Sequence, residues 1–176
     1  APTTVAPTTA PPTTVPPTTV PPTTVPPTSV SSGNLRVTVR SAGTDNNQQS
    51  QFHFRVVNQG TQPQSGISVR IYFMRDNSLG GDMYVLEKYW DQSGVATISG
   101  PTRVTNDVFY FTVSFNGTLA ASSSWEYQGA LHLSNWDQSF SSANDFWRSG
   151  GLGDSFAPTT TIPVFQNGNL VWGSTP

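Results

Sequence analysis

Val108-Phe109-Tyr110-Phe111-Thr112-Val113-Ser114-Phe115 decides the fold. Its eight residues are aromatic, β-branched or small and polar, and from Tyr110 onward the apolar side chains fall on every second position. That is the period of a strand with one face buried. Asn106-Asp107 introduces the run, and Asn116-Gly117 reads as the turn that stops it. Leu35 to Arg40, Gln51 to Val57 and Ile67 to Phe73 repeat the pattern upstream. Further strands are expected at Ser124 to Leu133, Ile162 to Phe165 and Asn169 to Trp172. Asn58-Gln59-Gly60, Gly80-Gly81, Ser99-Gly100-Pro101 and Asn167-Gly168 supply turn signals between them. No stretch of ten residues carries helical periodicity. Many short strands joined by Gly, Asn and Pro turns give an all-β chain, an antiparallel β-sandwich or jelly roll.

This pattern begins at Asn34. Ten of the 15 prolines fall in the first 27 residues, where Pro11-Pro12-Thr13-Thr14-Val15 recurs three more times, ending as Pro26-Pro27-Thr28-Ser29-Val30. Proline fixes φ and removes a donor, and Thr-Thr offers no apolar face to bury. Residues 1–33 are expected to be an extended linker, on the order of 90 Å at full stretch for a polyproline-II rise. Residues 34–176 then form one domain of ordinary size. The Ala1-Pro2 start lacks the basic-then-apolar pattern of a secretion signal, as expected of an excised piece of a longer protein.

Charged residues make up only 10% of the chain, and the net charge is −2. Eight scattered Lys and Arg do not suit a nucleic acid, whose counterions a basic surface must displace. No apolar run approaches the length of a membrane span. Without cysteine, disulfides and thiolate metal sites are excluded. A polar, weakly charged surface suits a neutral hydrogen-bonding partner such as a sugar polymer. A glycosidase would need two opposed carboxylates, and the two glutamates, Glu87 and Glu126, sit in strand-like runs without a catalytic signature. His53 and His132 lack metal-ligand spacing. The chain is therefore expected not to be an enzyme.

The closing stretch, Phe165-Gln166-Asn167-Gly168-Asn169-Leu170-Val171-Trp172-Gly173-Ser174-Thr175-Pro176, resembles the last strand of family 3 carbohydrate-binding modules. So, in order, do Asn34-Leu35-Arg36-Val37, Phe54 to Gly60, Val69 to Phe73, Tyr110 to Leu119, and Gln128-Gly129 followed by Asn135-Trp136 and Asn144-Asp145. The resemblance implies a jelly roll of about nine strands, a structural calcium ion and adhesion to cellulose. Crystalline cellulose presents flat glucose faces, which a rigid row of rings and polar groups would match. By the resemblance, Trp136 is the main planar aromatic of that row, Asp91 its aspartate, and Gln92 stands where a His or aromatic is common. The family's arginine position holds Ala130, and its tyrosine has no clear counterpart; Trp90, Tyr89 or His132 are the candidates to substitute. Trp125 and Trp172 are expected in the core, and Trp147 is left open.

Calcium ligands by the same resemblance are Met74 through its carbonyl, Asp76, Ser141, Asn144 and Asp145, an oxygen set that suits a hard cation. An Asp/Asn-rich turn that caps itself would look the same. Arg70, Tyr72 and Tyr110 match a shallow groove on the opposite face, although cross-strand pairing is an alternative. Such a groove would suit the chain's own or a neighbouring Pro/Thr linker. The expected function is a non-catalytic, extracellular, monomeric module that carries a cellulase or scaffoldin to crystalline cellulose. The alternative is an accessory or protein-interaction module whose incomplete strip does not bind cellulose.

Overall fold

A computed structural model describes Ala1 and residues 29–30, 33–43, 45–76, 79–136 and 138–176. Most of the linker, 2–28 and 31–32, lies outside the described residues.

Among the described residues, eleven strands form two antiparallel sheets and there is no α-helix. The strands are β1 (Ser29–Val30), β2 (Leu35–Ser41), β3 (Gln49–Asn58), β4 (Gln64–Met74), β5 (Tyr84–Asp91), β6 (Ala96–Arg103), β7 (Val108–Leu119), β8 (Ser124–Leu133), β9 (Ala157–Pro158), β10 (Val164–Gln166) and β11 (Asn169–Ser174). One sheet has the order β1-β11-β10-β4-β7-β6 and the other β5-β8-β3-β2-β9. Setting aside the two-residue strands β1 and β9 leaves the nine expected of a jelly roll. Single-turn 3-10 helices at Gly81–Met83 and Phe146–Arg148 complete the described elements.

Alternation builds the core. β3 buries Phe52, Phe54 and Val56 completely, and β4 sends in Ile67, Val69, Ile71 and Phe73. The two sheets meet where Phe54 of β3 packs edge-on to Phe115 of β7, with ring centres 6.4 Å apart. Phe54 also stacks on Tyr127 of β8 at 5.0 Å. Each such ring contributes roughly 1.5–3 kcal/mol through burial alone. Trp147, fully buried, packs on Phe52 at 4.7 Å and belongs to this core. Trp172 is buried as expected, while Trp125 is half-buried and stacks on Phe115 at 5.4 Å.

Three local expectations are corrected. Asn116-Gly117 does not stop β7, which runs on to Leu119 against β4. Ser99-Gly100-Pro101 lies inside β6 rather than in a turn, at a register shift. Proline is tolerated there because β6 is an edge strand and a bulge needs no ladder donor from it. Ser29–Val30, expected within the linker, pairs with Ser174 and Gly173 of β11.

Candidate carbohydrate-binding face

The five-stranded sheet turns one face to the core and the other outward. On β8, Tyr127, Gly129, Leu131 and Leu133 point in, so Glu126, Gln128, Ala130 and His132 point out. Pairing adds Gln49, Gln51 and His53 of β3, and Val85, Glu87 and Trp90 of β5, to the same outer face.

A bulge in β5 shapes this surface. The register slips between Lys88 and Trp90, which leaves Tyr89 as the extra residue. Strict alternation would hide one of two consecutive rings; the bulge lets both Tyr89 and Trp90 face solvent, at 42% and 47% exposure. Gly129 makes room for it: a Cβ there would lie 2.5 Å from the Glu87 carbonyl oxygen. The Tyr89 hydroxyl donates to Gln49 Oε1 at 3.0 Å. Because β8 lies between β5 and β3, the tyrosine side chain crosses β8. Ala130, on the outward side of β8 and fully buried, is small enough to be crossed. The residue that breaks the family's arginine position is thus compatible with a tyrosine laid over it.

The third ring is Trp136, in the loop after β8 and 53% exposed. Its indole stacks on the His132 imidazole, 4.5 Å between centres and 16° between planes. Trp136 and Trp90 are therefore solvent-facing, as a planar strip requires, and Tyr89 joins them. His132 is corrected: at 6% exposure it lies beneath Trp136 and supports that ring instead of meeting a ligand. Asp91 is corrected as well. Its side chain is 3% exposed. It accepts from Ser93 N–H at 2.9 Å, the Ser93 hydroxyl at 2.6 Å and Ala96 N–H at 2.7 Å. These bonds close the turn between β5 and β6, so Asp91 anchors the loop that follows Trp90. Gln92 is exposed, and its Oε1 is fixed by the Glu126 N–H at 3.1 Å. Gln49, unremarked in the sequence, belongs to the face only because β8 separates it from Tyr89 by one strand.

Both glutamates have basic or imidazole partners. Glu126 accepts from Arg55 Nε at 2.8 Å, and Glu87 Oε2 lies 3.4 Å from His132 Nε2.

The five residues compared with calcium ligands form two hydrogen-bonded groups, one on Asp76 and one on Asp145. Asp76 accepts from Ser141 N–H at 2.7 Å and from the Asn144 amide at 3.4 Å. Asp145 accepts from Met74 N–H at 2.9 Å and from the Trp147 indole at 3.1 Å. Burial, helped by the nearby Asp76 charge, pushes the Asp145 carboxyl up to about 7 against the pull of those donors. Burial and Asp76 also hold the Tyr84 phenol, which is bonded to Asp76, above its usual range.

The expected groove residues behave differently. Tyr72 is only 3% exposed, covered by Tyr110 at 5.1 Å and by Phe146 edge-on at 6.2 Å. Arg70 donates to the Tyr72 hydroxyl at 3.2 Å and lies over both Tyr110 and Phe165, at 4.4 and 4.0 Å. Tyr72 therefore lines no open groove: the cluster has closed on itself, and cross-strand pairing is the better description. A linker seated there falls outside the described residues.

A sandwich with a closed aromatic core and three rings displayed beside amides on one outer sheet face has the make-up of a surface-binding domain. Residues 36–173 match the family model described as cellulose binding domain, and the chain belongs to that family. It is 31% identical over 132 residues to an uncharacterized protein from the celA 5' region of Paenibacillus lautus, covering 70% of this chain and 88% of that protein. Endoglucanase A of the same organism is 27% identical over 143 residues, 78% of this chain but only 20% of that enzyme. Among solved structures, biomass-sensing modules from putative Rsgi-like proteins of Clostridium thermocellum superpose with a TM-score of 0.67 at 20% identity, covering 82% of this chain and 99% of theirs.

Proposed function

We propose that this chain is a non-catalytic module that holds a larger extracellular protein on crystalline cellulose through the outer face of its five-stranded sheet. The observation that carries the reading is the display of Tyr89, Trp90 and Trp136 on one face, with Gln49, Gln51 and Gln92 among them. Large rings left in water with polar neighbours are placed to stack on the apolar faces of glucose while amides take its hydroxyls. The pairing of both glutamates with cations or histidine supports a binding role over catalysis. No helix among the described residues is long and apolar enough to cross a membrane. The Pro/Thr repeat supplies the tether to the rest of the protein, and the module acts as a monomer.

Calcium is the second part of the proposal. Met74, Ser141 and Asn144 lie within hydrogen-bond reach of two carboxylates, Asp76 and Asp145; their own oxygens would complete the donor set, and a divalent cation would relieve the cost of the buried Asp145 charge. The ion would pin the 141–148 segment to the end of β4.

A pull-down on microcrystalline cellulose tests the main reading, with Trp136→Ala alongside and xylan and a soluble glucan as controls. Retention of the wild type and loss in the variant are expected. A folded wild type that stays in the supernatant would overturn it in favour of an accessory module, the reading that Ala130 and the inward Asp91 support.

A further inference from the structure

His132 points out of the sheet yet is almost wholly enclosed, with Trp136 stacked on top of it. Its two nitrogens have different surroundings. Nδ1 lies 2.8 Å from the Leu133 carbonyl oxygen, which can only accept, so Nδ1 carries a hydrogen. Nε2 is buried without a hydrogen-bond partner and lies 3.4 Å from Glu87 Oε2. With Nδ1 protonated, a neutral ring directs the Nε2 lone pair at a carboxylate. A proton on Nε2 converts that repulsion into an ion pair and places a positive charge under the face of the Trp136 indole.

Among the described residues, the other groups facing the ring do not compete. Val85 of β5 and Gln49 of β3, its cross-strand partners, carry no charge. Tyr89 is held above its usual range by burial and then by Glu87, so its phenol stays neutral while histidine titrates. Among the described residues, Glu87 is the charged group within ion-pair distance of His132.

We infer that His132 is a pH-dependent positioning residue for Trp136. As an imidazolium paired with Glu87 it holds the indole flat on the sheet face, and on losing its proton it loosens that ring. The inference rests on the reading of this face as the cellulose-binding surface, and it makes adhesion strongest on the acid side of the histidine transition.

Two measurements test it, both in saturating calcium so that the Asp76–Asp145 cluster stays out of the titration. The first is retention on microcrystalline cellulose between about pH 5 and 8, the span in which histidine changes charge. Wild-type retention is expected to fall about threefold or more as pH rises, the range of a cation–π contact. His132→Phe, which can still stack, abolishes the fall. A flat wild-type profile, or an unchanged slope in His132→Phe, overturns the inference. The second is the Trp136 indole N–H signal by NMR, assigned with Trp136→Phe. It is expected to move across the same pH span in the wild type and to stay still in His132→Phe. An indole signal that ignores the His132 transition overturns the inference even if the protein binds. If the wild type binds at no pH while the indole still titrates, the cellulose reading falls and the positioning role stands.

Discussion

The two outer faces of the sandwich carry similar side chains and use them in opposite ways. On the six-stranded sheet, Tyr72, Tyr110 and Phe165 close around Arg70, and Phe146 covers Tyr72, which ends up almost without solvent contact. On the five-stranded sheet side, Tyr89, Trp90 and Trp136 remain about half exposed, with Tyr89 held by Gln49 and Trp136 stacked on His132. Rings that can find partners within their own sheet add to stability. Rings that a bulge and a loop lift away from their neighbours are left for something outside the molecule.

Removing the proposed calcium ion tests the closed face hardest, because Phe146 follows directly on Asp145. The folded Asp145 carboxyl titrates near 7, above an ordinary 3.8, so between about pH 4 and 7 the metal-free folded state holds a proton that the unfolded chain has released. Stability without calcium therefore falls as pH rises through that window, by at most about 4 kcal/mol at 1.36 kcal/mol per pH unit. The proposed calcium ion would take the place of the proton, so thermal unfolding with and without EDTA should diverge increasingly toward pH 7. Tyr72→Ala comes next. It should cost about 3 kcal/mol of stability by denaturant unfolding, the range for a truncated buried ring, and leave retention per folded molecule unchanged. Trp136→Ala should invert that result, lowering cellulose affinity by about 2 kcal/mol, roughly thirtyfold, while the melting temperature hardly moves. Tyr89→Phe is the smallest change. Losing the hydroxyl bond to Gln49 should weaken retention about threefold, near 0.7 kcal/mol, as the ring loses its anchor.

The sandwich was legible because its core strands alternate cleanly: β2, β3, β4 and β7 read directly from Leu35, Phe54, Val69 and Val113 with their neighbours. β5 was legible only as a strand-like run around Glu87 and β6 not at all, and the reason is physical. β5 buries Tyr84 and Leu86 and then breaks its period at the Tyr89 bulge, while β6 contains Gly100-Pro101 and sits at an edge. The candidate site suffers from the same break. Trp136 stood out because a tryptophan in Ser134-Asn135-Trp136-Asp137-Gln138 has no alternating pattern to bury it. Tyr89 and Trp90 were candidates without a direction, since only the register against β8 shows that both face out. Asp91 read as a ligand because nothing in its spelling distinguishes a carboxylate that meets solvent from one that accepts three bonds within a turn. Tyr72 read as groove lining for the complementary reason: its cover, Phe146, lies 74 residues away in sequence, so the contact is set by the fold and not by the local pattern.

Oxidative footprinting of the protein, free and bound to microcrystalline cellulose, tests most directly which face meets the polymer. The account predicts that Trp90 and Trp136, with Tyr89, lose reactivity on cellulose while Tyr110 and Phe165 keep theirs. Protection of Tyr110 and Phe165, with Trp90 and Trp136 unchanged, would contradict it.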